Sequence, residues 1–86
     1  MVEVVYVEWD DAHGISSNRS VKSLNKEGAL PMRSAGVFIS EDEHVVRFCQ
    51  DVHSWEDEDV ARDSSIIPKK YVTFMKRWTV PTRRRS

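Results

Sequence analysis

Four runs of eight or nine residues in this chain are dense in β-branched and aromatic side chains, and polar or charged residues close off each one. They cover residues 2–9, 33–40, 44–52 and 71–78. Runs of that length and composition are strand-forming, and they confine the chain to a small, mainly β fold. The first, Val2-Glu3-Val4-Val5-Tyr6-Val7-Glu8-Trp9, has no breaker. It places Val5, Val7 and Trp9 on one face and Val4 and Tyr6 on the other, which predicts a strand covered on both sides, ended by Asp10-Asp11.

Residues 33–40 and 44–52 are separated by Glu41-Asp42-Glu43 and read as a β-hairpin with a polar tip. Ala35, Val37 and Ile39 share one face of the first arm, and Val46, Phe48 and Val52 one face of the second. Gly36 inside a strand predicts a bulge or a close approach of another backbone. Two patterns fit residues 71–78. A helix would use Pro68 at its first position and a stripe of Tyr71, Phe74, Met75 and Trp78. A strand would put Val72, Phe74 and Trp78 on one face; it is preferred for the density of β-formers, with Pro68-Lys69-Lys70-Tyr71 as the tight turn before it.

Elsewhere the apolar pattern fades. Residues 13–32 form a long connection whose one helical signal is 20–27, with Ser20 as N-cap and Gly28 past the end. Residues 53–63 are acidic and read as a loop. The fold class that follows is a five-stranded bent sheet or partly open barrel of the SH3-like or Sm-like kind, with at most a short helix in the first long loop. One domain is expected over 1–79, followed by a basic, disordered tail over 80–86.

A chain of 86 residues buries only about two-thirds of its unfolded surface, so one compact core carries its stability and self-association is expected to add to it. The single cysteine, Cys49, excludes an intramolecular disulfide. His13, His44, His53 and Cys49 have no metal-ligand spacing, and the three glycines are scattered; neither a metal nor a cofactor is expected. No apolar stretch reaches membrane-spanning length, and the start Met1-Val2-Glu3-Val4 lacks the basic head of a leader, so a cytoplasmic protein without membrane contact is expected.

Net charge is −1, but the charges are segregated. Residues 41–63 hold nine carboxylates against Arg47 and Arg62, whereas residues 66–86 hold seven cations and no acid. Two binding chemistries follow. In one, Arg33, Lys69, Lys70 and Arg77 neutralise phosphates while Tyr71 or Trp9 offers a stacking face, which suits a nucleotide or nucleic acid. In the other, Glu56, Asp57, Glu58 and Asp59 mimic a nucleic-acid backbone around Trp55 as anchor and occupy a basic groove on another protein. Catalysis by Cys49 is the least favoured reading, since a free cysteine between apolar neighbours is ordinarily packing.

The order of landmarks also carries a resemblance. A first strand ends in Glu8-Trp9-Asp10-Asp11-Ala12, and Arg33-Ser34-Ala35-Gly36 opens a hairpin with an acidic tip. Ile67-Pro68-Lys69-Lys70-Tyr71-Val72 then precedes a final aromatic. Over residues 2–78 this resembles small accessory proteins encoded by bacteriophages. The resemblance implies a phage or prophage origin, a small β fold and action in the cytoplasm of an infected host; it assigns no catalytic or ligand residue. Some phage proteins of this size act on host machinery or sequester nucleotide immune signals. The expectation is thus a non-enzymatic, oligomeric binding protein that captures a phosphate-bearing ligand to counter host defence. The alternatives are an inhibitor that grips a host protein through residues 41–63, and a structural component of an assembly.

Overall fold

The computed structural model describes residues 1–12 and 18–83. Among them the chain forms β1 (Val2–Asp11), a one-turn helix α1 (Val21–Leu24), β2 (Leu30–Glu41), β3 (Val45–Trp55), β4 (Glu58–Pro68), a 3-10 turn (Lys69–Tyr71) and β5 (Val72–Val80). The five strands make one antiparallel sheet in the order β4-β3-β2-β1-β5. The mainly β class and the five strands agree with the sequence, and residues 72–78 fall in a strand rather than a helix, with Tyr71 ending the 3-10 turn before it. His13 and residues 84–86 of the expected tail lie outside the described residues; Val80 belongs to β5, opposite Val2.

The sheet is open, since β4 and β5 do not pair, yet it is strongly bent. In a flat sheet its two edge strands would stand about 19 Å apart, four spacings of about 4.8 Å. Ile67 of β4 and Met75 of β5 nevertheless pack on one cluster with Val5, Val7, Val46 and Phe48. A three-residue turn also suffices to carry the chain from Pro68 to Val72, from one edge to the other. The inner face of this curl is the core: Val5, Val7 and Val46 are fully covered and Phe48 and Ile67 nearly so. Trp9, Phe38, Val72 and Met75 close its margins.

The alternation in β1 produces this directly, with Val5, Val7 and Trp9 inward. A register shift between Glu8 and Trp9 sets Val72 opposite Trp9 and carries it to the core. This corrects the grouping of Val72 with Phe74 and Trp78, which stay half exposed on the outer face. At Gly36 the expected close approach is present. A Cβ there would lie 2.5 Å from the Cys49 carbonyl oxygen and 2.9 Å from the Phe48 ring.

Two other expectations change. The helix over 20–27 shrinks to α1, although Ser20 does cap it, its Oγ accepting the Ser23 N–H at 3.1 Å; with no buried residue, tertiary packing cannot extend it. The acidic segment 53–63 is not a loop: β3 runs to Trp55, and β4 starts at Glu58 and pairs back along it through Ser54↔Asp59, His53↔Val60, Val52↔Ala61 and Asp51↔Arg62. Glu56 and Asp57 make the turn, both in the left-handed region with φ of 49° and 65°. That is the two-residue hairpin geometry that asparagine and glycine ordinarily supply. Backbone pairing needs no apolar pattern, which is why composition hid this ribbon. Its distal part leaves the body, and the molecule measures 62 × 25 × 23 Å with a radius of gyration of 17.3 Å, where a compact chain of this length has about 12 Å.

The two described glycines make a paired test. Gly36→Ala should lower stability by about 1–3 kcal/mol or more, because overpacking against backbone cannot relax. Gly28→Ala, with open space around its Cβ position, should be neutral or stabilising by up to about 1 kcal/mol. Urea denaturation of both variants checks this; equal effects would contradict the close approach.

Candidate functional site

The cations nominated for phosphate capture meet different fates. Arg77 lies on the inner face of β5, opposite Val5. Its Nη2 donates to Glu3 Oε2 at 2.7 Å and its Nη1 to Glu41 Oε2 at 3.0 Å. Its guanidinium carbon sits 3.7 Å from the centre of the Phe38 ring. Lys69, in the 3-10 turn, donates to the other oxygen of Glu41 at 2.9 Å. Glu41, at the end of β2, therefore holds one cation from the turn that follows β4 and another from β5, and so fastens the open mouth of the sheet. Two carboxylates and two cations cancel there. Neither Lys69 nor Arg77 is a free charge awaiting a phosphate.

Lys69 first, then Arg77, hold the Glu41 carboxyl below its ordinary value against the opposing effect of partial burial. Glu3 and Glu41 in turn hold the Arg77 proton more firmly. At the hairpin tip, Asp42 Oδ1 accepts the N–H groups of His44 and Val45 at 2.8 and 3.0 Å, and Oδ2 accepts from Arg47 Nη2 at 2.8 Å. The His44 N–H, Arg47 and the Val45 N–H together push the Asp42 carboxyl far down.

The remaining ligand candidates do not converge on one cleft. Trp9 packs partly buried at the core margin, and its Nε1–H donates to Ser34 Oγ at 3.0 Å. Arg33 is exposed on β2, opposite Glu8 on the outer face. Lys70 reaches over Tyr71, 5.1 Å from the ring centre. A cleft of about 350 Å³ is lined by Lys70 with Glu43, His44, Val45 and Pro68, and by none of the other nominated residues. Cys49 is buried, and burial followed by the nearby Asp51 charge pushes its thiol up, away from the reactive thiolate.

The acidic candidates are brought together. Trp55, Glu56, Asp57, Glu58 and Asp59 form the end of the projecting ribbon, all exposed, with Trp55 at 65 %. Trp55 stands opposite Glu58. Behind the tip, Ser54 Oγ donates to Asp59 at 3.3 Å and Arg62 donates to Asp51 at 2.6 Å, so the one arginine of the ribbon is already paired. Four adjacent carboxylates and an unsupported indole thus point away from the body. Sequence reading named these residues but missed the element that presents them, because the turn carries neither glycine nor asparagine.

No protein-family model, curated protein or solved structure matches this chain. No helix among the described residues is long and apolar enough to cross a membrane.

The charge clasp has a pH signature. A carboxyl whose folded value is depressed contributes stability above its unfolded value and loses it as pH falls through the folded one. Replacing Glu41 (Glu41→Gln) should therefore destabilise the protein at neutral pH, and the gap to the parent should close as pH drops below the ordinary carboxylate range. Thermal melts across acid pH check this; a gap independent of pH would contradict the clasp.

Proposed function

We propose that this is a non-enzymatic binding protein whose acidic ribbon grips a basic surface on another protein, with Trp55 as the apolar anchor and Glu56, Asp57, Glu58 and Asp59 as the surrounding charge. The observation that carries the reading is the exposure of Trp55 and these four carboxylates together at the end of a ribbon that stands clear of the core. An exposed tryptophan ringed by charge is the arrangement of an interface hot spot, in which ring burial supplies affinity and complementary charge supplies rate and selectivity. The row of carboxylates suits a groove built for a phosphate backbone. The resemblance to phage accessory proteins makes a nucleic-acid-handling host protein in the bacterial cytoplasm the partner class.

Capture of a phosphate-bearing ligand by the nominated cations is the weaker reading, since Lys69 and Arg77 would have to abandon Glu41 and Glu3. The buried thiol of Cys49 supports a binding role over nucleophilic catalysis.

A tagged copy should retrieve a basic protein from host extract, and the retrieved protein should then bind the purified chain. Replacing Trp55 by Ala should weaken that binding at least about tenfold, the usual loss for an anchor worth more than about 1.4 kcal/mol. Neutralising the tip with Glu56→Gln, Asp57→Asn, Glu58→Gln and Asp59→Asn should abolish its salt dependence. A partner indifferent to both changes would overturn this function.

A further inference from the structure

The side chains of β5 divide between the two faces of the sheet. Arg77 turns inward to the clasp, whereas Phe74, Lys76 and Trp78 alternate with it and lie on the outer face. Register sets them opposite Glu8, Tyr6 and Val4 of β1, and β2 adds Arg33, Ala35 and Val37 to the same three rows. Three aromatic rings thus gather around one lysine. Trp78 is 44 % exposed and Phe74 49 %. The Tyr6 ring meets Phe74 edge-on, with 6.2 Å between centres. Beside Trp78 runs a shallow groove of about 500 Å³ lined by Val4, Ala35 and Val37.

The cations of this face differ from those of the clasp. Lys76 and Arg33 are exposed, and neither makes an ion pair with a described residue. Arg83 is exposed three residues beyond Val80, past the Trp78 end of β5, and is likewise unpaired among the described residues. The opposing charge is Glu8, whose Oε2 accepts from the Tyr6 hydroxyl at 2.8 Å, with Asp10 in the row beyond it. The face is therefore positive around Lys76 and the Trp78 end, and turns negative past Phe74.

We infer that this face binds a short single strand of nucleic acid, with bases stacked on Trp78 and Phe74 and phosphates held by Lys76 and Arg33. Alternating exposed rings and unpaired cations are what such a strand needs, since every base has a face to stack and every linkage a charge to neutralise. Phe74 and Trp78 are four residues apart on one strand, about 13 Å at about 3.3 Å per residue. That is too far for one base, so each ring takes a base of its own, and Lys76 stands between them where the backbone must pass. A duplex hides its base faces and gains nothing from the rings. A second protein, or a second copy of this chain, would have to bury Lys76 in the middle of the contact, and lysine is depleted at interface cores because a cation without a partner is costly there. The site uses neither Lys69 nor Arg77 and leaves the clasp intact. It also stands apart from the acidic ribbon: either function holds if the other fails.

Fluorescence anisotropy with labelled oligothymidylate and oligouridylate of about twelve nucleotides, within the usual site size for such surfaces, tests this on the full chain at low salt. Saturable binding that weakens as salt rises is expected, with a duplex of equal length bound at least about tenfold more weakly. Trp78→Ala and Phe74→Ala should each weaken binding by about fivefold or more, the loss of one stacked base. Lys76→Gln should lower the slope of log affinity against log salt by about 0.7, one phosphate contact, and Glu8→Gln should tighten binding. Lys76 and Arg33 are exposed, so Lys76→Glu with Arg33→Glu keeps the fold, as an unchanged circular dichroism spectrum will show, and should abolish binding. No binding at low salt, equal affinity for the duplex, or binding that survives the double charge reversal would each overturn the assignment. A dimer in light scattering that Trp78→Ala dissolves would overturn it too, and give the face to a second copy.

Discussion

Glu41 is the residue on which the arrangement of this molecule turns. Its two oxygens take Lys69 and Arg77, one from the turn that leaves β4 and one from β5, and so tie together the two edges of a sheet that hydrogen bonds leave open. The curl is what lets five strands share a core as small as Val5, Val7, Val46, Phe48 and Ile67. The same clasp engages Lys69 and Arg77, two of the cations nominated for phosphate capture, whereas the four carboxylates at the ribbon tip stay exposed.

The ribbon is built on different terms from the body. Between Asp51 and Arg62 it is a bare two-stranded ladder, held by backbone pairing, the Arg62–Asp51 ion pair and the Ser54–Asp59 contact. An isolated hairpin of this kind is marginal in water. Its turn also places two L-residues, Glu56 and Asp57, in the left-handed region, and a third, Asp63, has φ of 55° where the ribbon leaves the core. Such conformations cost free energy that no local packing offsets. A segment that gives up stability to present Trp55 and four carboxylates to solvent fits a recognition element that is completed by its partner.

Much of the body was legible in the chain because the signals there are local. The alternation of Val5, Val7 and Trp9, the β-formers from Val72 onward and the glycine at 36 each report the environment of their own strand. What escaped has a physical reason in each case. The ribbon pairs through its backbone, so acidic composition concealed it, and the left-handed turn used Glu and Asp in place of Asn and Gly. Val72 changed faces because the register between β1 and β5 shifts at Glu8/Trp9, with Thr73 as the extra residue of β5, which no periodicity announces. The partners of Lys69 and Arg77 lie 28, 36 and 74 residues away, so a count of positive charges could not tell free cations from spent ones. Trp55 was nominated from the chain alone, but its exposed place at the ribbon end follows from the pairing of β3 with β4, which composition does not report.

Hydrogen exchange followed residue by residue addresses the central claim most directly, that a clasped, curled body carries a free acidic ribbon. Amides of β1 and of β3 around Val46 and Phe48 should be the slowest to exchange, with those of residues 52–60 faster by orders of magnitude, and Glu41→Gln should speed the body while leaving the ribbon unchanged. Protection spread evenly from the core to Trp55, or a body indifferent to Glu41→Gln, would contradict the account.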